Sequence, residues 1–105
     1  IGINCDNKSE AESVADTFGA MFGFAKRETS KSYFAGNEVE AMNAKGNGKY
    51  GHIAIGTNSV DRAVNYLEGL GVKFDMSTAK VVDGKMTFVY LQDEIGGFAV
   101  HLVQK

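Results

Sequence analysis

The sequence predicts an α+β fold, built as two βαβββ-type modules that form one curved mixed sheet with helices on its convex face. Three observations point there. IGINCDN (1–7) lines up with IAIGTNS (53–59), with Ile1 over Ile53 and Ile3 over Ile55. Each of these strand-like stretches leads into an apolar pattern of helical spacing: Ala11, Val14, Ala15, Phe18 and Met21 in the first, Val60, Ala63, Val64, Leu67 and Leu70 in the second. Strand-like runs then follow each helix. One module alone would offer a single helix over a half-covered sheet, too little apolar surface to bury well. Two modules side by side remedy that.

Taken in order, the opening strand is followed by Ser9-Glu10-Ala11-Glu12, a capping-box pattern, and Gly23 is placed to stop the first helix. Residues 24–28, 32–35 and 38–42 read as strands. The stretch 44–49 (AKGNGK) reads as a linker, dividing a single domain (1–105) into internal repeats 1–43 and 50–105. In the second repeat, Asn58 or Ser59 caps the helix and Gly71 ends it. Residues 72–74, 80–82, 86–91 and 98–103 read as strands, with Asp83-Gly84 a tight-turn signal. The closing strands also match: Gly36-Asn37-Glu38-Val39-Glu40 sits over Gly97-Phe98-Ala99-Val100-His101.

Composition narrows the function. At 105 residues and 44% hydrophobic content the chain is one domain of ordinary globular make-up. A formal net charge of -2, with no basic cluster, argues against nucleic acid as the main partner, because such binding rests on phosphate neutralisation. No apolar run approaches the roughly 20 residues of a membrane helix, and no signal-peptide pattern opens the chain. The lone cysteine, Cys5, cannot form an internal disulfide, which fits a reducing cytoplasm. Cys5 is in phase with Ile1 and Ile3 and reads as a small core residue. Proline is absent, and 13 glycines carry the turns. The chain opens on Ile1, already strand-like, which suggests a piece of a longer protein.

Strand parity selects the candidate site. Ile53 and Ile55 share one face of their strand and read as helix-facing core, while His52, Ala54 and Gly56 share the other. On the closing strands, Glu40 lies in phase with Glu38 and Met42, and His101 with Ala99 and Val103. The repeat puts Glu40 and His101 at equivalent positions. The expectation is that Glu40, His52 and His101 point into one cleft on the concave face. Two imidazoles and a carboxylate suit Zn, Fe, Mn or Ni with positions left open for substrate. The plainer alternatives are satisfied histidines, a solvated Glu40 and no metal. Asn4 shares a face with Gly2 and is a candidate pocket residue. Tyr33, Phe88 and Tyr90 either wall that pocket or belong to the sheet core. Lys26 and Arg27 either meet an anionic substrate or are solvated. Gly46-Asn47-Gly48-Lys49 lacks P-loop spacing and reads as linker.

At these residues the chain resembles the vicinal oxygen chelate superfamily, the fold of glyoxalase I, bleomycin-resistance proteins and extradiol dioxygenases. GHIAIGTNSVDRAVNYLEGLGVKF is similar to the family's histidine-led strand and helix, and LQDEIGGFAVHLVQ to its closing strand after a D-x-x-G turn. The resemblance spans the whole chain. It implies a glyoxalase-like fold and metal ligands at the position before Ile1, Glu40, His52 and His101. The second closing strand of the family usually offers a glutamate where this chain has His101, and no glutathione-site signature is present. A narrower similarity, carried by HIAIGTNS and EIGGFAVHLVQK, is to the extra C-terminal domain of bacterial 2-keto-3-deoxy-6-phosphogluconate / 4-hydroxy-2-oxoglutarate aldolases. That implies a bacterial, cytoplasmic accessory domain with a catalytic barrel upstream. No lysine of this chain would then be the Schiff-base residue. A homodimer also fits the resemblance.

The functional expectation is therefore a glyoxalase-like domain binding a small metabolite and a divalent metal, as the accessory part of a keto-acid aldolase. The alternative is a stand-alone metal-dependent lyase or isomerase that chelates two neighbouring oxygens of a small oxo or hydroxy acid, with Glu40 as ligand or catalytic base. A metal-free protein that sequesters a drug or metabolite shares the same fold.

Overall fold

Asn7, in extended conformation (φ -160°, ψ 173°), starts the first helix by accepting a hydrogen bond from the Glu10 backbone at 2.9 Å. The Glu10 carboxylate returns one from the Asp6 backbone at 3.3 Å. The cap thus falls at Asn7, two residues earlier than the Ser9 pattern suggests, and Glu10 bonds the N–H one residue before the cap rather than that of the cap itself. Asparagine caps as well as serine does, and its extended backbone already suits the position.

The computed structural model describes residues 1–105 and divides them into two compact units, Ile1–His52 and Ile53–Lys105. The first unit contains β1 (Gly2–Asn4), α1 (Lys8–Phe22), β2 (Lys26–Glu28), β3 (Ser32–Ala35), β4 (Val39–Met42) and the start of β5 (Gly51–Thr57). Its strands lie in the order β2-β3-β4-β1-β5. β1 runs parallel to β4 and antiparallel to β5, and β3 runs antiparallel to both β2 and β4. Gly23 ends α1 in the left-handed region (φ 75°), where only glycine sits without strain. Ala11 and Ala15 of α1 pack on Tyr33, Ala35, Val39 and Ala41, with Cys5 buried among them and Ile3, Val14, Phe18 and Phe24 around the rim. Alanine on both sides lets helix and strands approach closely. Residues 44–49 belong to this unit, and the units part inside β5, between His52 and Ile53.

The second unit contains the rest of β5, α2 (Val60–Gly69), β6 (Phe74–Val82), β7 (Lys85–Leu91) and β8 (Phe98–Gln104), in the strand order β5-β8-β7-β6. Ser59 caps α2 by accepting from the Arg62 backbone at 3.2 Å. The Gln104 side chain takes the Val60 N–H, also at 3.2 Å, and so ties the helix start to the end of β8. Val60, Val64, Val89 and Leu102 form the core, with Ala63, Leu67, Phe74, Ala79 and Met86 packed against it. Asp83 (φ 51°) and Gly84 (φ 77°) both take left-handed angles between β6 and β7, as a primed hairpin turn requires.

The α+β class and the two βαβββ modules are as the sequence predicts. Three local expectations are corrected. Residues 72–74 and 80–82 are not separate strands. One strand, β6, runs from Phe74 to Val82 and leaves Val72 and Lys73 outside it, with register shifts between Asp75 and Lys80 and between Lys80 and Val81. At the shift the Thr78 hydroxyl accepts the Tyr90 N–H at 2.9 Å, standing in for a backbone carbonyl. Ile55 is 48% exposed, and neither it nor Ile53 joins the core, because α2 packs chiefly over β7 and β8. Met21, counted in the apolar stripe of α1, is exposed. No helix is long and apolar enough to cross a membrane.

Candidate functional site

A single row of residues crosses the first unit from strand to strand. Gly2 of β1 directly opposes Glu40 of β4 on one side and His52 of β5 on the other. Directly opposed residues put their side chains on the same face, so Glu40 and His52 rise on either side of a position with no side chain. That vacancy is required. A Cβ on Gly2 would stand 2.0 Å from Cε1 of His52. The imidazole lies over Gly2 instead, and its Nε2 comes within 3.2 Å of Oε1 of Glu40. Gly51 makes the strand approach itself feasible, since a Cβ there would stand 1.9 Å from the Gly2 carbonyl oxygen.

The other carboxylate oxygen is held from beneath. Ser32 Oγ donates to Oε2 of Glu40 at 2.7 Å, and Thr29 Oγ1 lies 2.8 Å from Ser32 Oγ. Ser32 is fully buried. The hydrogen bond from His52 first, and that from Ser32 after it, hold the Glu40 carboxyl below its ordinary range against the opposing effect of burial. An ionised carboxylate can only accept, so the His52 proton in this contact sits on Nε2.

The row continues on the far side of Glu40. Phe34 of β3 opposes Glu40, and Arg27 of β2 opposes Phe34. The Arg27 guanidinium lies 4.3 Å from the centre of the Phe34 ring. Arg27, Phe34, Glu40, Gly2 and His52 therefore share one face, and α1 covers the other.

The remaining sequence candidates fall elsewhere. Tyr33 alternates with Ser32 and Phe34 onto the helix-covered face. It is 4% exposed and its hydroxyl donates to Glu28 at 3.2 Å. It is a core residue, not a pocket wall. Asn4 lies on the face of Gly2, but its side chain is engaged with the loop: Nδ2 donates to the Gly48 carbonyl at 2.9 Å and Oδ1 accepts the Gly46 N–H at 3.3 Å. Lys26 reaches back to Glu12 and Asp16 on α1, at 3.1 and 2.9 Å, and those two contacts raise its ammonium pKa.

In the second unit, His101 of β8 opposes Tyr90 and is 7% exposed. Its ring lies 4.3 Å from that of Phe88 and 5.0 Å from that of Tyr90, centre to centre. Phe88 and Tyr90 thus pack on the histidine. Lys80 sits 4.6 Å over the Phe88 ring, the counterpart of Arg27 on Phe34.

Imidazole nitrogen and carboxylate oxygen are donors suited to a first-row divalent cation. An open metal site takes about three protein donors. Glu40 and His52 supply two, and within neither unit do three His, Cys, Asp or Glu side chains gather so as to hold a metal ion. The pair by itself therefore does not fit a complete metal centre. As it stands, it is a hydrogen-bonded acid–imidazole couple, largely shielded, on the sheet face away from α1.

Sequence reasoning missed Ser32, Thr29 and Phe34. The only signal for them was parity: Ser32 and Phe34 alternate onto the Glu40 face once the β3–β4 register is known.

Comparison with solved structures places the fold. A methylmalonyl-CoA epimerase structure matches with a TM-score of 0.62 at 14% identity, over 99% of this chain and 94% of that one. TnmS3, an antibiotic-binding protein from Streptomyces sp. CB03234, matches at 0.39 and 16% identity, over 99% of this chain and 91% of that one. The fosfomycin resistance protein FosX from Listeria monocytogenes matches at 0.39 and 16%, over 100% and 88%. No curated protein matches the sequence. The model of the Glyoxalase/Bleomycin resistance protein/Dioxygenase superfamily covers residues 8–102, from the first turn of α1 to the buried Leu102 of β8, and the chain belongs to that superfamily.

Proposed function

We propose that the chain is a binding domain for a small oxo or hydroxy acid and that the Glu40–His52 couple is its polar contact. The observation that carries this reading is the 3.2 Å contact across Gly2. Gly2 leaves room for the imidazole, Gly51 lets its strand approach, and a buried serine fixes the carboxylate. Such preorganisation exceeds what a solvated surface pair needs. Titrating the protein with 2-hydroxypentanoate, whose hydroxyl can donate to Glu40, by calorimetry tests the reading. Saturable binding that His52→Ala weakens at least about tenfold supports it. Absence of binding at millimolar ligand overturns it.

The donor types favour a second reading, a metal-dependent lyase or isomerase with Glu40 and His52 among the ligands. Glu40 and His52 would then hold part of the shell of a divalent cation, which would supply Lewis acidity. Elemental analysis decides it: near-stoichiometric metal that is lost in His52→Ala supports the enzyme, and metal-free protein removes it. The narrower assignment, an accessory domain of a bacterial keto-acid aldolase, is supported by the likeness of HIAIGTNS and EIGGFAVHLVQK alone. It requires a barrel domain with a Schiff-base lysine encoded upstream of Ile1 in the same reading frame.

A further inference from the structure

We infer that Arg27 is the anion anchor of this site and restricts it to acids carrying a second carboxylate. The inference rests on the proposed reading of the Glu40–His52 couple as a contact for a small oxo or hydroxy acid.

Arg27 belongs to the same cross-strand row as that couple, through Phe34. Its neighbours Lys26 and Glu28 alternate onto the other face. There Lys26 pairs with Glu12 and Asp16, and Glu28 with Lys8 at 2.9 Å. Arg27 itself enters no salt bridge. Its contact is the Phe34 ring at 4.3 Å. A guanidinium laid against a ring is held flat while its N–H edges remain open, the arrangement that grips a carboxylate in bidentate fashion.

The spacing sets the ligand length. Neighbouring strands lie about 4.8 Å apart. The guanidinium lies over the ring on β3 and the Glu40–His52 contact lies over β1, two strands away, so roughly 10 Å separates them. Allowing about 2.9 Å for a hydrogen bond from a ligand hydroxyl to the Glu40 carboxylate at one end, and the same from Arg27 to a ligand carboxylate at the other, leaves roughly 4 Å between the facing ligand oxygens. A four- or five-carbon hydroxy-diacid spans that gap. A monoacid reaches one end only.

The test compares 2-hydroxyglutarate with 2-hydroxypentanoate, which have the same five-carbon hydroxy-acid skeleton and differ by the distal carboxylate. Calorimetric titration of the wild-type chain is expected to show 2-hydroxyglutarate bound about tenfold more tightly or better, the scale of a charge-assisted hydrogen bond. Arg27→Gln is expected to bring that ratio to near one by weakening 2-hydroxyglutarate. Arg27→Lys is expected to keep part of it. Circular dichroism confirms that the variants fold. Equal wild-type affinities for the two acids overturn the anchor and leave the His52-dependent contact standing. Binding of neither acid overturns both the anchor and the reading beneath it. Retention of the full preference in Arg27→Gln also overturns the anchor.

Discussion

Ser32 Oγ lies 2.7 Å from Oε2 of Glu40, and Ser32 is wholly shielded from solvent. The serine has no catalytic reach of its own. It fixes which way the carboxylate faces, so that the opposite oxygen meets His52. Replacing it with alanine leaves a half-buried carboxylate short of one donor. Ser32→Ala is therefore expected to cost about 1–3 kcal/mol of unfolding free energy, measured by urea denaturation. Ser32→Thr, which keeps the hydroxyl, is expected to lose less.

Glu40 also gives stability a pH dependence. Its folded-state pKa lies below the unfolded value, chiefly through the His52 hydrogen bond. The unfolded chain therefore takes up a proton first as pH falls. The stabilisation is fully present above the ordinary carboxylate range and disappears as pH drops through the lowered folded-state value. Denaturant midpoints across that acid window are expected to fall more steeply for the wild type than for Glu40→Gln. Parallel curves would show that the carboxylate is not coupled to folding.

Gly2 and Gly69 make a matched pair of tests. A Cβ at Gly2 would meet the His52 ring at 2.0 Å, whereas one at Gly69 meets nothing within 4 Å. Gly2→Ala is expected to drive the imidazole off Glu40, lowering stability by about 1–3 kcal/mol and abolishing the binding that depends on His52. Gly69→Ala, in the last turn of α2, is expected to be neutral or to stabilise by up to about 1 kcal/mol. Thermal melts and the 2-hydroxypentanoate titration check both.

Thr78 supplies the acceptor for the Tyr90 N–H where β6 shifts register. Thr78→Val preserves shape and removes that acceptor. The expected cost is about 1–3 kcal/mol, with amide exchange at Tyr90 accelerated.

Periodicity made most of the fold legible. The helical stripes, the left-handed stop at Gly23 and the Asp83-Gly84 turn are local signals, and local physics decides them. The continuous β6 was not legible, because its pairing depends on a side-chain hydroxyl replacing a carbonyl. Nor was the exposure of Ile55, which depends on where α2 lands. For the site, parity identified Glu40 and His52 but could not give their separation, because that depends on the alignment of β1 with β4 and β5. Ser32 lay hidden for the same reason: it reaches Glu40 only through the β3–β4 hairpin. Tyr33 stayed open between two readings because aromatic residues suit a pocket wall and a sheet core equally well.

Cys5 is 1% exposed, and burial above all pushes its thiol pKa up. A thiol that is both shielded and protonated resists alkylation until the packing around α1 opens. Because Ile53–Lys105 contains no cysteine, the labelling rate times the breathing of one half of the chain only. Set beside a spectroscopic melt of the whole, it shows whether the two units come apart in one step or in succession.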